Sequence, residues 1–336
     1  MNILVTGGAG YIGSHTCLAL LQAGHAVTVL DNLCNGSLVA LQRVQELGGK
    51  QLRFVQGDVR NPGDVEQALA GGIDAVIHFA ALKAVGESCQ QPLRYFDNNI
   101  SGTICLLQAM QAASVKRLVF SSSATVYGQP DQVPVDETAA LRVSNPYGRS
   151  KLVMEQLIGD WCTAQPEVSA VLLRYFNPVG AHPSGRIGEE QRGTPNNLMP
   201  YVAQVASGQR AHLQVFGNDY PTIDGTGVRD YLHVMDLADA HVAALARASQ
   251  TSGCDAINLG TGRGTSVLEL VRAFEQATGQ SIPLDITERR QGDVAEYWAN
   301  PAKAHACLGW HATRTLHDMC ADTWRWQSQN PQGYAS

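Results

Sequence analysis

Short apolar runs rich in β-branched residues recur through the first half of the chain, at 2–6, 26–30, 52–56, 74–79, 117–121 and 168–173. Between them lie stretches whose apolar positions return every three or four residues, at about 12–23, 37–47, 63–70, 93–113 and 147–164. The short runs are apolar on both faces, which suits strands of a parallel sheet covered by helices on each side. The pattern therefore predicts an α/β chain built on a doubly wound parallel sheet. Beyond residue 176 it loosens. Residues 177–230 are rich in Pro, Gly and Asn and are too long for a simple connection, so they read as binding loops. A strand-like run at 255–259 and a helix at 266–278 bring the chain back toward the main sheet. The remainder, 279–336, reads as a small α/β region ending on a helix near 313–328. The expected organisation is a first domain over 1–176, rejoined by 231–262, and a smaller C-terminal α/β domain over 177–336.

Composition narrows the function. A chain of 336 residues can bury two domains, and a net charge of −6 argues against a nucleic-acid surface, which collects Lys and Arg. Only five residues are Lys, so a Lys inside a motif carries weight. The eight Cys residues, at 17, 34, 89, 105, 162, 254, 307 and 320, form no C-x-x-C pair and read as reduced thiols rather than disulfides or metal ligands. The first residues lack the basic segment of a signal peptide, and no apolar run reaches the ~18 residues that span a bilayer. The expectation is a cytoplasmic protein that binds neither membrane nor metal.

Candidate chemistry sits at the ends of the predicted strands. The first strand runs into Thr6-Gly7-Gly8-Ala9-Gly10-Tyr11-Ile12-Gly13, and a helix follows. Gly7, Gly10 and Gly13 suit a phosphate turn of the Rossmann type. One glycine allows the tight turn, one lets the backbone approach a pyrophosphate, and one lets helix pack on strand. The helix N-terminus then faces the phosphates with free N–H groups. Asp31 ends the second strand, 18 residues past Gly13, close to the ~20 expected of the acid that binds the adenosine ribose. A carboxylate there repels a 2′-phosphate, which points to NAD rather than NADP. Asp58, just past the third strand, sits where the adenine end falls.

Tyr147 and Lys151 are spaced i, i+4 at the start of a predicted helix, so both project from one face. A phenol with a pKa of ~10 is protonated at neutral pH, and bringing it to about 7 takes roughly 4 kcal/mol. One cation at about 4 Å supplies that much at an effective dielectric constant of 20. Lys151 together with a nicotinamide ring is the expected source. Ser123 follows the strand at 117–121, within Ser121-Ser122-Ser123-Ala124-Thr125-Val126-Tyr127-Gly128, and can hydrogen-bond a reacting oxygen. Together these residues suit hydride transfer between NAD and a bound alcohol.

The glycine turn, the Ser and the Tyr–Lys pair resemble the extended short-chain dehydrogenase/reductase superfamily. Longer segments resemble one family within it, the UDP-glucose 4-epimerases (UDP-galactose 4-epimerases). They are Phe79-Ala80-Ala81-Leu82-Lys83-Ala84-Val85-Gly86-Glu87-Ser88, Arg174-Tyr175-Phe176-Asn177-Pro178-Val179-Gly180-Ala181-His182, Asn196-Asn197-Leu198-Met199-Pro200 and Gly227-Val228-Arg229-Asp230-Tyr231. The similarity runs from Thr6 to Trp324-Arg325-Trp326-Gln327. It departs from some relatives at Ala81, where they carry Gly, and 129–143 is not distinctive.

The resemblance implies an isomerase of galactose metabolism that inverts C4 of UDP-glucose and UDP-galactose through a 4-keto intermediate, with NAD held throughout. It implies that residues 1–176 bind NAD, that 177–336 mainly bind the UDP-sugar, and that the chain forms a homodimer through helices near 93–113 and 149–164. Tyr147 would be the base at the 4-hydroxyl, Ser123 would position that oxygen, and Lys151 would hold the nicotinamide ribose. Gly7, Gly10, Tyr11, Ile12, Gly13, Asp31, Asn32, Asn35, Gly36, Asp58, Val59, Phe79, Ala80, Ala81, Lys83, Asn98 and Phe176 would surround NAD with those three. Asn177, Asn197, Leu198, Gln214, Val215, Phe216, Arg229, Arg290 and Asp293 would meet the uridine diphosphate. Tyr297, within Arg290-Gln291-Gly292-Asp293-Val294-Ala295-Glu296-Tyr297-Trp298, would wall the sugar near C2, although burial alone would equally make it a core aromatic packed on Trp298. Two rival readings stand beside this one. A nucleotide-sugar 4,6-dehydratase would carry an acidic pair beside the Ser, where this chain has Ala124 and Thr125. A catalytically silent NAD-sensing module would not need Ser123, Tyr147 and Lys151 together.

Overall fold

The computed structural model describes residues 1–190, 195, 197–290 and 293–334. Its centre is a seven-stranded sheet. β1 (Asn2–Thr6), β2 (Ala26–Asp31), β3 (Arg53–Gln56), β4 (Ala75–His78), β5 (Arg117–Ser121) and β6 (Ser169–Tyr175) are joined by the strand Gly253–Leu259. From one edge the order is Gly253–Leu259, β6, β5, β4, β1, β2, β3, and every pairing is parallel. The direction of winding reverses between β1 and β4, which opens a crevice at the carboxyl ends of those strands.

β1 shows why the apolar runs lack alternation. Ile3 and Val5 pack into one helical layer with α1 (Tyr11–Gln22) and α2 (Leu38–Gly48), while Leu4 packs into the other with α3 (Pro62–Leu69) and the helices Gly102–Ala112 and Pro146–Ala164. All three side chains are fully buried, so each position of the strand must be apolar.

Three sequence expectations change. The helix expected over 93–113 is broken: Pro92–Phe96 runs into a π-turn at Asp97–Ser101 and then into Gly102–Ala112. The helix Val234–Ala248 had no counterpart in the reading. Its buried face mixes Ala238, Ala240, Ala244 and Ala248 with Val234, Met235, Leu237 and Leu245. The segment 177–230 is also more than loop. It carries a helix, Leu198–Ala206, and short strands whose partners are distant in sequence. Leu213–Phe216 pairs with Leu284–Thr287, Val228–Arg229 with Glu296–Tyr297, and Asn177–Val179 with Tyr231–His233. Met199, Val202, Leu213, Val215, Leu270, Phe274 and Met319 make the core of this second lobe. The end of the chain turns back: Trp310, Trp326 and Tyr334 pack into the α1 side of the main core. Among the described residues no helix is long and apolar enough to cross a membrane.

Candidate active site

In the loop after β1, backbone atoms shut out a Cβ at both Gly7 and Gly13. Gly7 has φ +72, and a Cβ on it would stand 2.8 Å from the Ala80 amide nitrogen. A Cβ on Gly13 would stand 2.3 Å from the Gly7 carbonyl oxygen. At Gly10 the nearest atom would be 3.4 Å away, so its place is set by access rather than by packing. Gly10 caps α1 with no side-chain hydrogen bond, so no cap side chain takes up the N–H groups of the first turn. Asp31 closes the loop from β2: its Oδ2 accepts from Ala9 N (3.0 Å) and its Oδ1 from Leu33 N (2.8 Å). Gly36 is needed beside it, since a Cβ there would stand 2.8 Å from the Ala9 Cβ and 3.0 Å from Asp31 Oδ1.

Along the same edge Asn32 donates to Asp58 (3.0 Å), and Arg60 holds the Asp58 carboxyl far below the usual carboxylate range. Val59 is buried against Gly102, Ile12 packs on the main core, and Asn35 is exposed. Tyr11 reaches across and donates to the Gly180 carbonyl (2.6 Å), tying the glycine turn to the segment that carries Phe176 and Asn177.

Opposite this cradle stands the Pro146–Ala164 helix. Asn145 caps it by accepting from Gly148 N, and Pro146 takes the first position. Tyr147 and Lys151 are therefore on its first turns, and both are buried. The Tyr147 ring packs with Leu82 and Tyr95. Burial pushes its phenol up, while the Ser123 hydroxyl and the Lys83 ammonium oppose the rise. Lys151 donates to the Ser121 carbonyl (2.6 Å), and burial brings it down to about 7 against the pull of Glu155. Within the protein alone, the Ser123 hydroxyl and Lys83 are the groups that act against the rise of the Tyr147 phenol. Ser123 accepts from the Thr125 amide (3.2 Å) and hydroxyl (2.9 Å).

The segment 79–83 lines the space between. Ala80 N donates to Thr6 Oγ1 (3.4 Å), the Phe79 ring lies 4.7 Å from that of His241, and Ala81 is half-buried. Lys83 pairs with Glu189 (3.0 Å), which raises its pKa. Asn98 donates to the side chain of Asn99 (3.0 Å).

The second lobe brings the remaining candidates to the far side. Arg229 is braced by the Val228 and Val294 carbonyls (2.9 Å each) and lies 3.7 Å from Asp293. The Arg290 guanidinium sits 4.3 Å from the centre of the Phe216 ring. On that strand Gln214 is exposed and Val215 turns into the lobe's core, which leaves Val215 only its backbone for a ligand. Asn177 donates twice to the Asp230 carbonyl. Asn197 begins the Leu198–Ala206 helix without capping it, and Leu198 packs on the lobe's core. Asn196, Gln291 and Gly292 lie outside the described residues. Tyr297 rests on Phe176, with ring centres 4.8 Å apart, and donates to the carbonyl of Ala124, next to Ser123. It is a packed aromatic, but on Phe176 at the catalytic strand end.

Two buried residues that hold this geometry were not singled out in the sequence. Asn99, in the π-turn, binds Leu82 N and O (2.8 and 3.1 Å) and Ser150 (2.9 Å), clamping the Lys83 loop to the Tyr147 helix. Asp230 accepts from Thr261, Gly262 and Ala299, joining three distant segments. Asn99 follows Asn98 and Asp230 lies within the Gly227–Tyr231 segment, but nothing local in the sequence marks the burial of either side chain. Among the described residues no group of three or more His, Cys, Asp or Glu is placed to hold a metal ion.

A glycine-turn cradle facing a Ser, Tyr and Lys across a doubly wound sheet belongs to the extended short-chain dehydrogenase/reductases. In keeping with that class, the family model for GDP-mannose 4,6 dehydratase matches residues 4–323. Individual proteins are more specific. The UDP-glucose 4-epimerase of Bacillus subtilis (strain 168) is 58% identical over 337 residues, covering 100% of this chain and 99% of its own. The crystal structure of the UDP-glucose 4-epimerase from Stenotrophomonas maltophila, with bound NAD and formylated UDP-arabinopyranose, matches with a TM-score of 0.97 at 54% identity, covering 98% of this chain and 99% of that one. The enzyme from Bifidobacterium longum in complex with NAD+ and UDP matches with a TM-score of 0.95 at 50% identity, over 99% and 100% of the two chains. The chain belongs to the UDP-glucose 4-epimerase family.

Proposed function

We infer that the protein is an NAD-dependent isomerase that interconverts UDP-glucose and UDP-galactose by inverting C4, a reaction of galactose metabolism. The observation that carries this reading is the convergence of the buried Tyr147 phenol and the Ser123 hydroxyl on one side of a crevice whose other side is the glycine cradle. The cradle fits a dinucleotide: Gly7 and Gly13 keep the loop free of side chains, α1 offers its N–H groups, and Asp31 supplies the ribose carboxylate. NAD bound there would accept a hydride from C4 and return it, so the alcohol passes through a 4-keto sugar. Tyr147, ionised to the phenolate, takes the hydroxyl proton onto its Oη and gives it back in the reverse half. Ser123 hydrogen-bonds the same oxygen and keeps it within reach of Tyr147. Arg229 and Arg290 hold the diphosphate while the sugar turns, binding energy drawn from a part of the substrate that does not react.

The chain divides accordingly into an NAD-binding part, residues 1–176 with 231–262, and a part that mainly binds the UDP-sugar within 177–336. A cytoplasmic homodimer completes the reading. It is supported by eight free thiols and by apolar side chains left exposed on the 92–112 helices, Leu93 at 80% and Ile104 at 39%. A dehydratase is disfavoured because Ser123 is followed by Ala124 and Thr125, with no acid beside it. The decisive experiment is incubation of the purified protein with UDP-galactose and no added NAD. UDP-glucose should accumulate to equilibrium; a 4-keto-6-deoxy product, or no conversion, would overturn the reading.

A further inference from the structure

Behind the catalytic strand end lies a buried charge pair that the chemistry above does not use. Glu155 stands one helical turn beyond Lys151, and Arg174 lies near the end of β6, with side chains only 4% and 7% exposed. The guanidinium grips the carboxylate with two nitrogens, Nε at 2.9 Å and Nη2 at 2.6 Å. Burying such a pair is a poor way to gain stability, because desolvation offsets the attraction and apolar side chains of equal volume would hold helix to strand as well. What the pair offers instead is direction, since its remaining hydrogen bonds all lead to one short segment.

Glu155 Oε1 also accepts from the Ser122 hydroxyl. Arg174 Nη1 donates to the Tyr127 hydroxyl (3.0 Å), which in turn donates to Asn258 Oδ1 (2.7 Å). Ser122 immediately precedes Ser123. Tyr127 ends the 3-10 turn Ala124–Tyr127, which Ser123 caps. The Ser123 segment is thus tied on both sides to a single ion pair, and the acidic half of that pair stands on the helix that carries Tyr147 and Lys151.

We propose that Glu155 and Arg174, acting through Ser122 and Tyr127, are positioning residues that set the Ser123 hydroxyl against the Tyr147 phenol. The proposal rests on the C4-epimerase reading. Ser123 must stay within hydrogen-bond reach of both the phenol and the sugar oxygen, a tolerance of a few tenths of an ångström. Apolar packing lets a loop slide by that much, whereas hydrogen bonds to a fixed bidentate pair constrain both distance and angle. Glu155 has a second consequence: its charge stands beside Lys151 and counters the effect of burial on that ammonium.

The test cuts the links and leaves the ion pair whole. Ser122→Ala, Tyr127→Phe and the double variant are purified as holoenzymes beside wild type, with bound NAD and melting temperature measured for each. UDP-galactose conversion is then followed across pH. The double variant should lose about tenfold or more in kcat, with KM within about twofold and full NAD content, because the loss is one of alignment. Its rate should also need a higher pH, since a displaced Ser123 no longer helps hold the phenol down. A folded, NAD-loaded double variant with wild-type kcat and an unchanged pH profile would overturn the proposal. So would a fall in kcat that only tracks lost NAD or melting, with the pH profile unmoved. A wild type that fails to epimerise would overturn the underlying reading, and the proposal with it, whereas an active wild type confines a negative result to the proposal.

Discussion

Lys151 offers a direct test of the electrostatics, because catalysis and folding make opposite demands on it. Its side chain is buried, it donates to the Ser121 carbonyl, and its ammonium lies 5.0 Å from the centre of the Phe120 ring. Burial brings its pKa from 10.5 down to about 7. With the folded value below the unfolded one, the unfolded chain holds the proton more tightly. The native state is therefore penalised fully below about pH 7, and the penalty fades as pH rises toward 10.5. A gap of about 3.5 units, at about 1.4 kcal/mol each, amounts to ~5 kcal/mol. Lys151→Met removes that penalty but leaves the Ser121 carbonyl without its donor, a cost of about 1–3 kcal/mol. The variant should be inactive, yet more stable than wild type by ~2–4 kcal/mol near pH 6, with the gain shrinking to roughly zero by about pH 9.5. Urea unfolding of both proteins at the two pH values measures it, at matched nucleotide content because bound NAD stabilises by mass action. Equal differences at both pH values, or a less stable Lys151→Met at the lower one, would refute the reasoning.

Other consequences are as direct. Tyr147→Phe keeps the ring against Leu82 and Tyr95 but removes the ionisable group; kcat should fall at least ~10²-fold while UDP-sugar binding by calorimetry survives. Gly13→Ala would set a Cβ 2.3 Å from the Gly7 carbonyl oxygen, so the variant should purify without NAD. Chromatography of nucleotide released from denatured wild type should find NAD(H) rather than NADP(H), as the Asp31 carboxylate demands. Tyr297 is wedged between Phe176 and the Ser123 segment; at the sugar's C2 side, where the family resemblance puts it, its ring would occupy the volume an acetamide needs. Overlap there should cost ~1–3 kcal/mol. UDP-N-acetylglucosamine should therefore be a poor substrate for wild type and a better one for Tyr297→Cys, compared by kcat/KM. Equal wild-type activity on both sugars would remove Tyr297 as a gate.

Local pattern carried most of the sheet. Strands apolar at every position announce burial on both faces, and Gly7, Gly13 and Asp31 sit where turn geometry leaves little choice, so residues near in sequence specified them. The Tyr147 and Lys151 pair was legible for the same reason, since one helical turn fixes their common face. The second lobe was not legible as a fold, because its strands are two to four residues long and pair across long gaps, as Val228–Arg229 does with both Thr265–Ser266 and Glu296–Tyr297. Pairs so short and distant leave no periodicity. Where the two lysines go was also a tertiary matter. Lys151 shares a helix with Tyr147 but turns its ammonium to the Ser121 carbonyl, while Lys83, more than sixty positions earlier, pairs with Glu189 from a loop clamped by Asn99. The Glu155–Arg174 pair belongs to the same category. Sequence marks a Glu and an Arg as surface residues by default, and only the packing of helix on strand reveals that their charges meet in the core, behind Ser123.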